Sequence, residues 1–302
     1  MRRKILTDNQ NAYEKHLHAL LQVFPTFFEE IPIEDFCNME KLQRAQSALS
    51  KMLILLYYKS AALGWCICDD KKQNNKLQDI FHALSNKINT KNIESDIDIA
   101  EIDNYANALI SDEDITTLVS EMLLCDEDYA KLSRALTFFQ QKDYYTCSFY
   151  LSTLIDSQNI KLEIEQHIKL QDDIRPMQCW ISFIRVLDYH FPNITDESLR
   201  NADMSGPKKR EAFTDLVDKI NYSKYSVYET NIALIVAVGY CLINLFDNTN
   251  WMDYKNTRPA YFNRNWLTHG MYDIADVDRI DCLKLFFLLY GIHKLFGTIQ
   301  PD

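Results

Sequence analysis

Residues 232–238 read Ile-Ala-Leu-Ile-Val-Ala-Val, at the centre of a helical pattern that runs from Val227 to Phe246. Because this pattern is apolar on nearly every face, it predicts a helix that is central and buried in the fold. Its longest apolar stretch, Ile232 to Ile243, is shorter than the 18 or so apolar residues that a membrane span requires. We therefore expect no membrane association.

Apolar residues recur at helical spacing along most of the remaining chain. The chain holds only 6 Gly and 7 Pro, whereas a many-stranded β architecture would need frequent turn residues. An all-α helical bundle is therefore predicted. The predicted helices are Asn11–Val23, Glu34–Cys68, Leu77–Ile88, three between Asp114 and Ser157, Ile160–Phe191 with a kink at Pro176, Lys208–Asn221, Val227–Phe246 and Ala275–Phe296.

The segment from Ala135 to Leu151 resembles one helical hairpin of the tetratricopeptide kind. It has a small residue, an aromatic pair and a tight turn at Lys142-Asp143-Tyr144 between two helical patterns. A solenoid needs about three such repeats to be stable, and one copy is visible. The pattern therefore predicts a local hairpin, and not a repeat array.

Eight cysteines are scattered through the chain, mostly inside apolar helical patterns, and are interpreted as reduced core thiols. Cys66 and Cys68 lack the two-residue spacer of zinc pairs, so no metal site is expected. The first residues carry a basic cluster but no apolar signal region. With no membrane span, these features predict a cytoplasmic protein.

The net charge is −11, which argues against a surface that binds nucleic acid everywhere. Residues 201–302 hold 11 Lys/Arg and 12 Asp/Glu, so their net charge is −1. Residues Glu94–Asp128 hold 12 acids and no Lys or Arg. We interpret that acidic segment as a solvated helical face, with docking of a basic partner as the alternative.

The segment with candidate chemistry runs Tyr261-Phe-Asn-Arg-Asn-Trp-Leu-Thr-His-Gly-Met-Tyr-Asp273. Arg264 and His269 are five residues apart, and Asn265 and His269 are four apart, so the amide could orient the imidazole on a helix. Metal-independent RNA cleavage needs a base for the ribose 2′-hydroxyl and a cation for the phosphate charge. Histidine and arginine supply these two functions.

A second pair with the same spacing, Arg185 and His190, has an apolar residue after its arginine and Phe-Pro after its histidine. A histidine near a helix C-terminus, stabilised by the helix dipole, explains that pair better. The Arg264 motif is therefore preferred.

Arg264-Asn265 followed by His269-Gly270, after an aromatic pair and before a final apolar helix, resembles the signature of the HEPN superfamily of helical-bundle proteins. The resemblance is tightest over residues 207–302. It implies a HEPN-like bundle over residues 131–302, preceded by an additional helical region of unknown role at residues 1–130.

The resemblance also implies a homodimer whose Arg/His pairs share a cleft, and a metal-independent endoribonuclease of single-stranded RNA. Arg264 would hold the scissile phosphate, Asn265 would orient, His269 would act as acid or base, and Gly270 would permit a turn. Such domains recur as phage-defence or toxin effectors, which suggests a protein antitoxin or regulator as partner. No metal or other cofactor is expected.

Lys255, Arg258 and Tyr261 are candidate RNA contacts, through phosphate binding and base stacking. Trp266, inside the motif, is interpreted as a core residue rather than a stacking platform. Two other functions stay open. One is a non-catalytic HEPN-like dimer that binds RNA or protein, and the other is a helical interaction scaffold.

Overall fold

The structure, a computed structural model, describes residues 56–57, 59–68, 75–89, 99–122, 124–165, 182–185, 208, 229–246 and 262–297. All regular elements in these ranges are helices, which confirms the predicted all-α class. They are α1 (Asn75–Asn89), α2 (Ile99–Leu109), α3 (Asp112–Ser120), α4 (Asp126–Gln140), α5 (Tyr144–Glu165), α6 (Glu229–Leu245), α7 (Arg264–Thr268), a 3-10 turn (Ile274–Asp276) and α8 (Arg279–Gly297).

Helices α4 and α5 form the predicted hairpin. Helix α4 ends at a turn in which Lys142 has a φ of 62° and its amide donates to the Phe139 carbonyl at 3.0 Å. The Asp143 carboxylate then accepts from the Thr146 amide at 3.1 Å, at the start of α5. These bonds satisfy backbone groups that helix ends leave without partners, and they reverse the chain within three residues.

A buried carboxylate joins the two helices of the hairpin. Asp128 of α4 is 1% exposed and accepts from Lys161 of α5 at 2.6 Å and from Gln158 at 2.7 Å. Burial by itself would raise the pKa of Asp128, but the hydrogen bonds from Lys161 and Cys125 and the positive charges of Lys161 and Lys131 together outweigh burial and lower the pKa. The ionised form is therefore the one that the fold stabilises.

Helices α6 and α8 form the centre of the core. The residues of α6 from Ala233 to Leu245 are all buried, as the apolar pattern on every face predicted. On α8, Leu283, Phe287, Tyr290 and Leu295 are buried, and Phe287 meets the Trp65 ring edge-on at 5.5 Å between centroids. The apolar side chains of the last helix thus lie in the core.

One core contact depends on a glycine. Gly291 of α8 packs so closely on Cys66 that a Cβ added at residue 291 would overlap the Cys66 sulfur. Both residues are buried, and closely packed interiors accommodate extra atoms poorly. Glycine at this position therefore lets α8 approach the segment around residue 66.

Arg279, the first residue of α8, ties this helix to the N-terminal half of the chain. Its guanidinium donates to the Asn107 side chain at 2.7 Å, to the Ile110 carbonyl at 2.8 Å and to Asp112 at 2.9 Å. It also lies 5.3 Å from the centroid of the Phe139 ring. The turn between α2 and α3 is thus held against the start of α8.

Among the described residues, one large hydrophobic cluster contains side chains from both sides of the predicted domain boundary, from Leu56 to Leu295. The predicted boundary between residues 130 and 131 lies inside α4 (Asp126–Gln140). Among the described residues, therefore, that boundary does not separate two hydrophobic cores.

Some predicted helix limits differ from the observed ones. Within the predicted helix Glu34–Cys68, the described residues 56–57 and 59–62 are helical, and the chain then turns, with Gly64 at a φ of 84°. Helix α5 continues to Glu165, whereas a break was predicted after Ser157. Helix α2 lies in the acidic segment, where no separate helix was predicted. The helices predicted at Asn11–Val23 and around Pro176 lie outside the described residues.

The cysteines in the described part of the chain carry free thiols. Five of them are buried, as predicted for core thiols, and Cys125 is exposed: the buried ones are Cys66, Cys68, Cys147, Cys241 and Cys282. No helix in the described ranges has the length and apolar character that crossing a bilayer would need.

Candidate functional site

The Arg-x4-His motif forms its own short helix, α7, directly ahead of the last helix. Asn263 is the N-cap, with extended backbone angles, and its side-chain oxygen accepts from the Trp266 amide at 3.1 Å. The backbone amide of Asn263 donates to the Tyr272 hydroxyl at 3.0 Å. Asn263 is fully buried, so its cap bond is shielded from water.

The other end of α7 is closed at His269 and Gly270. Gly270 has a φ of 66°, and its amide donates to the Leu267 carbonyl at 3.1 Å. The Met271 amide donates to the Trp266 carbonyl at 2.9 Å. These two bonds form a Schellman motif, which favours glycine after the last helical residues. The turn expected at Gly270 is therefore present.

Trp266 anchors α7 to the molecule. It is 4% exposed and lies 5.7 Å from Tyr272 between ring centroids, while Phe262 stacks on Tyr272 at 5.5 Å with the planes 5° apart. Among the described residues, Leu267 and Val277 also belong to this cluster, which we call the α7 cluster. It is distinct from the main core cluster, and Phe262 and Tyr144 pack against both. The interpretation of Trp266 as a core residue is confirmed.

Arg264 is the first residue of α7 and binds a residue that sequence reasoning did not identify. Its Nη2 donates to the Asp156 carboxylate of α5 at 2.9 Å. The side chains are 31% and 26% exposed, respectively. Among the described residues, the Arg264 Nε is buried without a hydrogen-bond partner. The guanidinium is therefore partly buried, with one edge against α5.

The pKa of the Asp156 carboxyl lies above its usual value. Burial raises its pKa, and the nearby positive charge of Arg264 lowers it by less than burial raises it. The only sequence signal was a single acid next to the apolar Leu154 and Ile155 of α5. No local pattern connects it to an arginine 108 residues away.

His269 is the C-cap of α7 and is exposed. Its amide donates to the Asn265 carbonyl at 3.1 Å, one helical turn earlier. Residues five apart on an ideal helix point about 140° from each other. Arg264 and His269 of one chain therefore lie at opposite ends of α7 and on different faces of it.

The other predicted site residues lie partly on α7 and partly outside the described residues. Asn265 is on α7 and partly exposed. Lys255, Arg258 and Tyr261, the predicted RNA contacts, lie outside the described residues. In the second Arg-x4-His pair, Arg185 is partly exposed and helical, whereas His190 lies outside the described ranges.

No cluster of three or more metal-ligating side chains occurs in the described ranges. Comparisons of the chain with known protein families, with curated proteins and with solved structures found no match.

Proposed function

We propose that the protein is a metal-independent endoribonuclease of single-stranded RNA that acts through Arg264 and His269. The observation that carries the proposal is the construction of α7. Both ends of this five-residue helix are closed by specific hydrogen bonds, and its first residue and its C-cap are an arginine and an exposed histidine. A segment built in this way holds two functional side chains in a defined arrangement.

The proposed reaction is an internal transfer at phosphorus. A neutral imidazole of His269 takes the proton of the ribose 2′-hydroxyl, and the 2′-oxygen attacks the adjacent phosphorus. The bond from phosphorus to the 5′-oxygen breaks, and that oxygen receives a proton from an imidazolium or from water. The products are a 2′,3′-cyclic phosphate and a 5′-hydroxyl. Arg264 stabilises the charge that grows on the non-bridging oxygens.

Asp156 is proposed to position Arg264. Its carboxylate holds one guanidinium edge against α5, and the exposed part of the arginine is left for a phosphate. Because the carboxylate also offsets the positive charge, a phosphate has to bind beside an ion pair and not beside a free cation. Asp156 therefore improves the placement of Arg264 at some cost in affinity for RNA.

A homodimer is part of the proposal. Arg264 and His269 of one chain lie on different faces of α7, and in the proposed dimer two copies face each other so that the histidine of one protomer acts together with the arginine of its partner. A role as a phage-defence or toxin effector, with a protein antitoxin or regulator, would follow from such an activity.

The test is cleavage of single-stranded RNA by the purified full chain in EDTA. His269→Ala and Arg264→Ala should each reduce cleavage by about 100-fold or more, the range of general acid–base and electrostatic contributions. Thr268→Ser is the matched control, because Thr268 is an exposed neighbour on the same helix and serine keeps the hydroxyl that donates to the Arg264 carbonyl at 3.0 Å. Arg185→Ala controls for the second motif. Parent-like activity in His269→Ala, with contaminating nuclease excluded, would remove the mechanism.

A second function is a non-catalytic dimer that binds RNA or protein. The ion pair between Arg264 and Asp156 favours it, because a paired arginine is also a common structural element. The same experiment separates the two functions. Saturable RNA binding that needs Arg264, without cleavage under any divalent-free condition, would favour the binding protein.

A further inference from the structure

The hairpin of α4 and α5 differs in charge from the chain as a whole. Residues 129–155 hold three Lys/Arg and one Asp, a net charge of +2, whereas the whole chain carries −11. The same residues include seven Phe and Tyr. Positive charge interleaved with aromatic side chains is typical of surfaces that bind a single nucleic-acid strand, since cations bind the phosphates and rings stack on the bases.

One face of α5 contacts α7 and is exposed in its middle. Tyr145, Phe149 and Asp156 are separated by four and by seven residues, so they share this face of the helix. Tyr145 packs against the α7 cluster, and Asp156 accepts from Arg264 at 2.9 Å. Phe149, which lies between these two contacts, is 45% exposed. A large aromatic side chain therefore lies at the surface beside α7.

Helix α4 and the hairpin turn supply positive charge next to this aromatic ring. Phe138 of α4 meets Tyr150 of α5 at 5.5 Å between ring centroids. Arg134 lies one turn before Phe138 on the same edge of α4, and it is exposed, as is Lys142 in the turn. Neither cation has a hydrogen bond or an ion pair with another described residue. Both are therefore accessible to an anion.

These side chains form one surface beside α7. We call it the hairpin face, and it consists of Arg134, Phe138, Lys142, Phe149 and Thr153. Phe149 precedes Asp156 by two helical turns, about 10 Å along the axis of α5, and Asp156 holds Arg264 at the edge of this surface. A strand whose phosphate meets Arg264 can therefore continue over the hairpin face.

We propose that the hairpin face binds single-stranded RNA, with a base stacked on Phe149 and phosphates bound by Lys142 and Arg134. The inference rests on the proposed function, which identifies the strand that passes Arg264. Stacking tolerates any base because every base has a π-face. The hairpin face therefore selects an unpaired strand and not a particular sequence, since the bases of a duplex are already stacked on one another.

The experiment measures binding without cleavage. The full chain is titrated in EDTA into a fluorescent single-stranded RNA whose 2′-hydroxyls are all methylated, which removes the attacking group, and anisotropy gives the Kd. Phe149→Ala should raise the Kd about fivefold or more, the effect of losing one stacked base, and Phe149→Trp should bind at least as tightly as the parent. Arg134→Gln and Lys142→Gln should each reduce the slope of log Kd against log salt by about 0.7.

Tyr129→Ala is the matched control. Tyr129 is 46% exposed, like Phe149, and belongs to the same hairpin. It is nine residues from Phe138 on α4, so the two side chains point to opposite sides of that helix. Its variant should bind like the parent. The proposal would be overturned by equal Kd values in the two alanine variants, by duplex RNA or polyglutamate competing as well as the single strand, or by the absence of saturable binding.

Cleavage of the unmethylated strand reports separately on the proposed function. Binding that depends on Phe149, without cleavage that depends on His269, would retain the hairpin face and remove the nuclease. Cleavage that depends on His269, in a protein whose Phe149→Ala variant binds like the parent, would retain the nuclease and remove the hairpin face.

Discussion

Replacing Asn263 by alanine is expected to destabilise the protein by about 2 kcal/mol. Loss of an N-cap acceptor costs about 1 kcal/mol, and here the Trp266 amide, which receives that bond, is also buried. Leaving such a donor without a partner adds about 1 kcal/mol. The hydrogen bond from the Asn263 side chain to the backbone carbonyl of Asn244 is long, at 3.5 Å, and contributes little to the free energy of unfolding.

The matched variant is Asn263→Ser, which keeps an oxygen that can cap the helix. It should lose well under 1 kcal/mol, so the two variants should differ by more than about 1 kcal/mol in urea unfolding followed by circular dichroism. At a temperature where both variants are folded, the alanine variant should cleave RNA more slowly than the serine variant. A helix of only five residues that loses its N-cap bond holds Arg264 less firmly. Equal unfolding free energies for the two variants would refute the capping role.

Three further outcomes follow from the described contacts. Gly291→Ala should destabilise the parent by about 1–2 kcal/mol through overlap with Cys66. In a Cys66→Ala background the substitution should cost less, because only the Val238 methyl, at 3.3 Å from the new Cβ, then remains close. An equal cost in both backgrounds would contradict this. The stability that Asp128 adds should be present above its unfolded pKa of about 3.9 and be lost as pH falls below it, so the deficit of Asp128→Asn should shrink in acid urea titrations. The raised pKa of Asp156 has the opposite sign. Ionising Asp156 lowers the free energy of unfolding of the parent as pH rises above about 4. Asp156→Asn should therefore gain stability relative to the parent as pH rises toward neutrality, and a difference in unfolding free energy that does not change with pH would contradict the raised pKa.

The helices of the fold were largely predictable because their signals are local. Apolar spacing and breaks within a few residues located the three helices between Asp112 and Glu165, and α6 and α8 as buried helices. Helix α2 was not identified, although it has only two acids and its buried Ile102 and Ala106 are four residues apart, because the acidic segment was interpreted as a whole by its charge. The early end of the helix before Trp65 depends on the backbone of Gly64, which sequence spacing did not reveal.

Only part of the site was predictable, because only its contacts between residues close in sequence leave a local signal. The residues of α7 and the turn at Gly270 are neighbours in sequence, so the pattern contained them. The partner of Arg264 is 108 residues away on α5, and the contacts of Arg279 with Asn107 span 172 residues. Contacts of this kind are formed by tertiary packing, and one sequence carries no periodic signal for them.

Helix α7 rests on its own small cluster, apart from the core that contains α6 and α8. Among the described residues this cluster has four buried side chains, far fewer than the main core. Local opening of α7 should therefore need less free energy than global unfolding. The backbone amides of residues 266–271 should therefore exchange with deuterium much faster than those in the middle of α8. The motif would then sample open forms while the rest of the bundle stays closed.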